Sequence, residues 1–412
     1  VSLASWFLIV QDRTEKALHA GRVYIAIALA GEVALLVGII IGADAARSMA
    51  VDDIRAALGA TGGNGVGIWL LVIGFGIKAG LVPLHVWLPL AHPAAPVPGS
   101  AVLSGAIVKA GLFGMILFIP EGAIGTVLMI LGLAGAFGAA LWGLTQSNPK
   151  AVLAYSTISQ MGLMAMLVGA GGPARDGVPY VAMHHGLAKG ALFLLVGAMM
   201  AAHGRGQRSL CLAVAAVVCA SVAGFPLTGG ALAKAAAKQG LGEGQALALS
   251  LSSVATSLIL VWFLARLWHM DPHARPGDWA YLLALPAVLG GLCLGAPWSL
   301  WQGWSDLGPD YPLKIETLRD ALWPVAVSAP LALALLRRPF PQKPPGDLLL
   351  VLGAFRTRDL AMPRMGAFRS DAGRASRALD RMIAGLEGIL TRWSLTGVFV
   401  PLLVLLVFAL LS

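Results

Sequence analysis

The sequence predicts an all-α polytopic membrane protein. Of its 412 residues, 58% are hydrophobic and 12% are charged, where a soluble domain carries about 25% charged residues. Mean hydropathy is +0.80. The apolar residues fall in continuous runs near the ~20 residues that cross a bilayer core, without the period-2 alternation of a membrane β-barrel. These features exclude a soluble globular domain and a disordered chain. The 51 glycines show no triplet period, which excludes collagen and suits closely packed membrane helices.

Taken in order, the expected spans are 1–11 (partial), 22–43, 65–89, 98–119, 122–146, 151–170, 178–202, 209–238, 244–268, 279–297, 321–337 and 395–412. The chain opens on VSLASWFLIV, already apolar, so it is expected to start inside a membrane helix whose upstream part lies outside the sequence. Longer connections are expected at 44–64, at 298–320 with Trp298, Trp301 and Trp304 at a membrane interface, and at 338–394. From Arg337 to Arg392 there are eleven Lys or Arg against five Asp or Glu, most of the net charge of +9. A basic segment between spans is cytoplasmic by the positive-inside rule. Its second half carries Leu379, Ile383, Leu386 and Ile389 near helical spacing opposite Arg374, Arg377 and Arg381, which reads as an interfacial amphipathic helix or a soluble linker helix. The excess positive charge borders apolar spans, so no nucleic-acid partner is expected.

Two spans are interrupted. GFGIKAGLVPLHVWLPLAHPAAPVPGS holds Pro83, Pro89, Pro93, Pro96 and Pro98; AGFPLTGGALAKAAAKQG holds Pro226, Gly229 and Gly230. Proline removes a backbone donor, and irregular backbone at membrane depth is tolerated only against protein or a hydrated cavity. Paired broken helices point to an ion-transport site; simple proline kinks are the plainer alternative.

Four of the nine lysines, Lys78, Lys109, Lys189 and Lys234, lie deep in apolar spans. Each costs about 2.5–3.5 kcal/mol at a helix centre. Snorkelling could relieve Lys234 near a helix end but serves Lys78 and Lys109 badly. Lysine suits proton transfer because burial and a nearby carboxylate shift its proton affinity in opposite directions, whereas arginine stays protonated. Glu32 is the acid clearly inside a span, either a lysine's partner or a neutral hydrogen-bonded acid. His185 and Lys189 are four apart, on one helix face, and histidine titrates near neutrality. His184 reads as a relay or a core histidine, and His85 and His92 flank the first break. Tyr155, Ser156, Ser159 and Gln160 offer either a water wire or interhelical hydrogen bonds. Cys211, Cys219 and Cys293 form no C-x-x-C pair, so disulfides and metal or iron–sulfur sites are not expected. No quinone, flavin, nucleotide or haem site is legible, and no cofactor is expected.

The stretch GIKAGLVPLHVWLPLAHPAAPVPGSAVLSGAIVKAG, followed by NPKAVLAYSTISQMG, MHHGLAKGALFLLVG and AGFPLTGGALAK, resembles the antiporter-like membrane subunits. These occur in complex I, in group 4 membrane-bound hydrogenases of the formate hydrogenlyase type, and in Mrp-type cation/proton antiporters. The resemblance runs over about residues 1–265 and implies two inverted five-helix repeats, each with a broken helix. It divides the chain into the remainder of a first repeat (1–119, broken near 65–90), a second repeat (120–268, broken near 209–238), additional helices (269–337), the basic segment (338–394) and a last helix (395–412). It gives Lys78 the place of the central lysine, Lys109 the connecting lysine, His185 and Lys189 the histidine-to-lysine motif, and Lys234 the terminal position on the second broken helix. Two departures stand out. The family's glutamate on its early helix falls before Ser2, so that partner is expected elsewhere or replaced by Glu32; and Leu90 stands where the family often has an acid.

The resemblance implies an ion-translocating subunit, protons first, moving charge along a mid-membrane lysine–histidine path. It would be non-catalytic itself, in the inner (cytoplasmic) membrane of a prokaryote, beside other membrane subunits and peripheral redox subunits. The alternatives are a secondary antiporter subunit exchanging Na+ or K+ for protons without redox chemistry, an energising subunit of an inorganic-carbon uptake complex, or a paralogue that no longer conducts.

Overall fold

The computed structural model describes residues 1–63, 65–272, 279–305, 307–337 and 340–343. The expected basic segment beyond 343, its amphipathic helix and the span at 395–412 lie outside the described residues. Nine helices among the described residues are long and apolar enough to cross a membrane, and the chain is a multi-pass membrane protein.

Helix α1 (Ser2–Val10) turns into α2 (Glu15–Ala46). Thr14 caps α2 by accepting from the Ala17 amide at 3.1 Å, satisfying one of the donors a helix start leaves open. The expected connection at 44–64 contains a further short helix, α3 (Val51–Ala60), whose Ile54 and Leu58 are buried; fewer than three turns with one apolar stripe are too short to register as a span in sequence.

Both expected interruptions are real breaks. Helix α4 (Val66–Ala79) ends on Gly80 at φ 70°, and α12 (Arg205–Ala223) ends on Gly224 at φ 87°. Glycine takes this left-handed cap without Cβ strain. After Gly80 the chain runs through a turn into α5 (Leu88–Ala94), breaks again at Ala95–Pro96, and resumes as α6 (Val97–Val102), a π-helical turn (Leu103–Ile107) and α7 (Val108–Phe118). Proline sits in the first turn of α5 and of α6, where its missing donor costs nothing. After Gly224 the chain resumes as α13 (Gly229–Lys238). A Cβ on Gly230 would sit 1.6 Å from the Ser221 carbonyl oxygen, so this crossing admits only glycine.

Between the breaks run α8 (Ala123–Gly143), α9 (Pro149–Ala170), the short α10 (Gly172–Asp176) and α11 (Val178–Ala201). Helix α9 is buried all round from Ala151 to Val168, as a helix apolar on every face should be. Asn148 caps it through the Lys150 and Ala151 amides. Antiparallel α8 meets α9 backbone to backbone: Cβ atoms on Gly125 and Gly132 would each lie 2.5 Å from the carbonyl oxygens of Gly169 and Gly162. Small residues allow this approach where no hydrophobic effect drives helix association.

Helix α14 (Glu243–Trp268) packs on α9 and α12, and α15 (Trp279–Trp304) runs antiparallel to α11, with Tyr180 donating to the Pro297 carbonyl. Helix α15 continues to Trp304, so Trp298 and Trp301 lie within a helix rather than in the expected connection at 298–320. Pro286 and Pro297 inside α15 made the span look shorter in sequence than it is. Helix α16 (Ile315–Arg337) closes the described part.

Alternate passage of the long helices puts residues 11–14, 144–148 and 202–204 at one end of the bundle (end I), and residues 47–50, 119–122 and 239–242 at the other (end II). Gly132→Leu should lower stability by about 2 kcal/mol or more, because overpacking against a backbone atom has no rotamer to relieve it. Gly138 has open space beyond it, and Gly138→Ala should be neutral or slightly stabilising. Melting temperatures of the two variants in one detergent check both.

Candidate functional site

Lys78, Lys109 and Lys234 lie at or beside the breaks, whereas Glu32, His185 and Lys189 lie within the unbroken helices α2 and α11, and three of the four lysines donate to backbone carbonyls. Lys78 occupies the last turn of α4, where the open carbonyls and the helix dipole favour a cation. Its ammonium pairs with the Glu32 carboxylate of α2. Ser2 of α1 donates to the same oxygen and lies 3.4 Å from Lys78 Nζ. Trp87 Nε1 donates to the Ile77 carbonyl at 2.9 Å, satisfying another group the break exposes. The Lys78–Glu32 pair is half-buried rather than sealed, with Glu32 40% exposed.

Lys109 follows the π-helical turn directly. Its ammonium donates to the carbonyl of Ser104 inside that turn. π-turns widen the backbone and recur at functional sites. The Ser104 hydroxyl lies 2.7 Å from that of Thr157 on α9. Thr157 in turn donates to the Leu153 carbonyl at 2.9 Å, and that same carbonyl accepts from Lys189 Nζ at 3.3 Å. Lys109 and Lys189 are thus joined through Ser104, Thr157 and the α9 backbone. Both lysines are buried, Lys189 completely.

His185 lies one turn from Lys189 on α11, and Lys109 passes beside Gly186, its Cε 3.8 Å from where a Cβ would stand. Both His185 ring nitrogens are buried without a protein partner among the described residues. His184 differs: its Nε2 lies 2.8 Å from Ser221 Oγ, and the same hydroxyl accepts from the Gly230 amide at 3.2 Å. It ties α11 to both halves of the second break.

Lys234 reaches back from α13 to the end of α12, donating to the Ala223 carbonyl at 2.6 Å and to Ser253 Oγ of α14 at 2.7 Å. It therefore stands at the negative end of the α12 dipole, as Lys78 does for α4. Two cavities meet at this lysine. One leads inward to His184, His185 and Gln160. The other opens toward end II between Thr228, Lys238, Trp298, Thr317 and Asp320.

The sequence reading singled out Tyr155, Ser156, Ser159 and Gln160 on α9. Two of them make interhelical bonds: Ser159 donates to the Ala136 carbonyl at 2.6 Å and Gln160 to Thr256 at 2.8 Å. Thr157, in the same stretch, joins the lysines and was missed, as were Ser104, Ser221 and Ser253. Serine and threonine in apolar helices are ordinary, so their spacing gave no signal. Lys150 was also missed. It stands directly after the N-P start of α9, where it reads as a residue at a helix end, yet its ammonium turns inward to the Ala95 carbonyl. Among the described residues no group of three or more His, Cys, Asp or Glu converges as a metal site would require. The three cysteines are buried and unpaired.

Residues 1–259 match the family described as NADH:quinone oxidoreductase/Mrp antiporter, TM. The chain is 34% identical over 221 residues to Hydrogenase-4 component B of Escherichia coli K12, covering 48% of this chain and 33% of that protein. It is 37% identical over 153 residues to Formate hydrogenlyase subunit 3 of the same organism, covering 33% of this chain and 25% of that protein. The chain therefore matches about a third or less of the length of these curated relatives. In three dimensions it resembles a chain of the Mrp complex from Dietzia sp. DQ12-45-1b, with a TM-score of 0.61 at 22% identity, over 94% of this chain and 48% of that one; this likeness is one of fold. With breaks, carbonyl-capped lysines and a match over more than half its length, the chain belongs to the NADH:quinone oxidoreductase/Mrp antiporter family of membrane subunits.

Proposed function

We propose that the chain is a proton-translocating membrane subunit, and that Lys78, Lys109, Lys189 and Lys234 are its proton-carrying groups, with His185 as a relay and Glu32 as the partner of Lys78. The observation that carries this reading is the convergence of two buried ammonium groups on one polar cluster inside an apolar bundle: Lys109 on the Ser104 carbonyl, the Ser104 hydroxyl against that of Thr157, and Thr157 and Lys189 both donating to the Leu153 carbonyl. A static scaffold gains nothing from burying these ammonium groups, each of which opposes insertion by about 2.5–3.5 kcal/mol.

In this reading Lys78 holds a proton against Glu32 and loses it when the pair opens. The proton moves through water to Lys109 and on to Lys189, while the Ser104–Thr157 hydroxyl pair and the Leu153 carbonyl hold the two groups in position. His185 exchanges through water with Lys189 on its own face, and the inward cavity carries the proton to Lys234. The outward cavity releases it at end II, where Asp320 stands at the mouth. The membrane potential sets a scale of about 2.3 kcal/mol per charge per 100 mV, so uphill movement has to be driven by a coupled partner. Relatives that are components of hydrogenase-4 and formate hydrogenlyase favour a multisubunit membrane assembly with peripheral redox subunits, in the inner membrane of a prokaryote. The two breaks fit two inverted repeats at 1–119 and 120–268, with further helices to 337. At end II acids such as Asp52, Asp53, Glu121 and Glu243 outnumber bases; at end I Arg13, Lys16, Arg205, Arg208 and Lys343 outnumber Asp12, Glu15 and Asp271. By the positive-inside rule end I is cytoplasmic.

The test is proton flux by the purified protein with its co-purifying subunits, reconstituted in liposomes under an imposed membrane potential. Lys78→Ala should reduce flux to the level of empty liposomes; full flux in that variant overturns the reading. Glu32→Gln should slow flux and alter its pH profile, since a neutral amide cannot hold the Lys78 proton. Thr157→Val keeps the side-chain shape and removes the hydroxyl; flux should fall about tenfold, equivalent to about 1.4 kcal/mol of barrier, with little change in melting temperature.

A further inference from the structure

The mid-membrane path still needs an aqueous connection at end I, and two groups so far without a role stand where one would run. We propose that Lys150 and His92 form this surface leg, exchanging protons between the end that carries Asp12 and the buried lysines. The inference rests on the relay proposed above.

Three elements place polar groups in register from end I inward. On α9, Lys150 in the first turn is followed at i+3 by Leu153, whose carbonyl holds Lys189, and at i+7 by Thr157. On the α6 segment, Ser100 is followed at i+4 by Ser104, whose carbonyl holds Lys109. On α11, Phe193 is preceded one turn earlier by Lys189. His92 joins all three. Its ring stacks on Phe193, with centroids 4.5 Å apart and planes 18° from parallel. Its carbonyl accepts from Ser100 Oγ at 2.9 Å, and that hydroxyl lies 3.4 Å from Lys150 Nζ. His92 is 0% exposed, yet neither ring nitrogen has a protein partner among the described residues. A buried imidazole held only by stacking and by its own backbone keeps both nitrogens for water, and a neutral imidazole can accept at one and donate at the other. Lys150 holds the Ala95 carbonyl at the break between α5 and α6, the point where irregular backbone opens the bundle toward end I. Asp12 stands exposed in the turn between α1 and α2 at this same end.

The step balances as proton transfer alone. An ammonium proton leaves Lys150 through water for an imidazole nitrogen of His92. The imidazolium releases its other proton through water to the neutral amine of Lys189, and Lys150 is reloaded from the aqueous phase at end I.

The same liposome flux assay tests this, with melting temperature recorded for each variant. Lys150→Arg keeps a cation and a donor for the Ala95 carbonyl but cannot release a proton. His92→Phe keeps the stack on Phe193. Both should slow flux by about tenfold or more while melting within a few degrees of the parent. Parental flux in Lys150→Arg would reduce Lys150 to a cap on a carbonyl, and parental flux in His92→Phe would make His92 a packing residue; either result overturns the proposal. Lys189→Ala separates the two levels, since both routes run through Lys189. If it abolishes flux while Lys150→Arg and His92→Phe do not, only the surface leg fails. If it leaves flux intact, the relay fails and the surface leg with it.

Discussion

The structure turns on how a membrane bundle answers a buried ammonium group. Charge at that depth has to meet oxygen, and the carbonyls of a regular helix already hold one hydrogen bond; only Lys189, among the four lysines, is met by such a carbonyl, that of Leu153 in α9. This protein supplies oxygen by interrupting its helices. The end of α12 gives Ala223 to Lys234, the π-turn gives Ser104 to Lys109, and the break after α5 gives Ala95 to Lys150. Arg175 makes the same contact with the end of α7, donating to the carbonyls of Met115, Ile116 and Ile119. A cation beside several loosened carbonyls is stabilised without a fixed counter-charge. Lys78 differs, having a carboxylate partner, and its ion pair is the more exposed.

The four lysines and Glu32 stood out in sequence because an ionised group among aliphatic residues contrasts with everything near it. The two breaks were legible for the same reason: the proline cluster from Pro83 to Pro98 marks the first, and Pro226 with Gly229 and Gly230 marks the second. What joins the lysines was not legible. Ser104 and Thr157 sit four or more residues from any charge in sequence, and their contact depends on how α6 and α9 cross. The π-turn has no residue signature in LSGAI. Lys150 was masked by position, since a lysine after N-P at a helix start ordinarily faces water. The tryptophans near 298–304 were placed in a connection, because two internal prolines hid that the helix continues through them.

Helix α9 ties these parts together. It is the element with no outward face, and it contributes a carbonyl, a hydroxyl or an ammonium at successive turns while its other sides pack on α8 and α14. Several of these polar groups are therefore fixed to the most enclosed helix; those that face them come from the interrupted segment through Ala95 and Ser104 and, for Lys189, from the unbroken α11. Precision resides on one side of the path and freedom on the other.

The glycine seam between α8 and α9 gives this division a mechanical sense. Where two backbones lie in contact at both Gly125–Gly169 and Gly132–Gly162, sliding one helix along the other would drive Cα and carbonyl atoms through each other. The pair behaves as a stator. A displacement imposed on the bundle cannot be taken up by shearing it, and falls instead on the pieces that have loose ends: α5, the π-turn and α13.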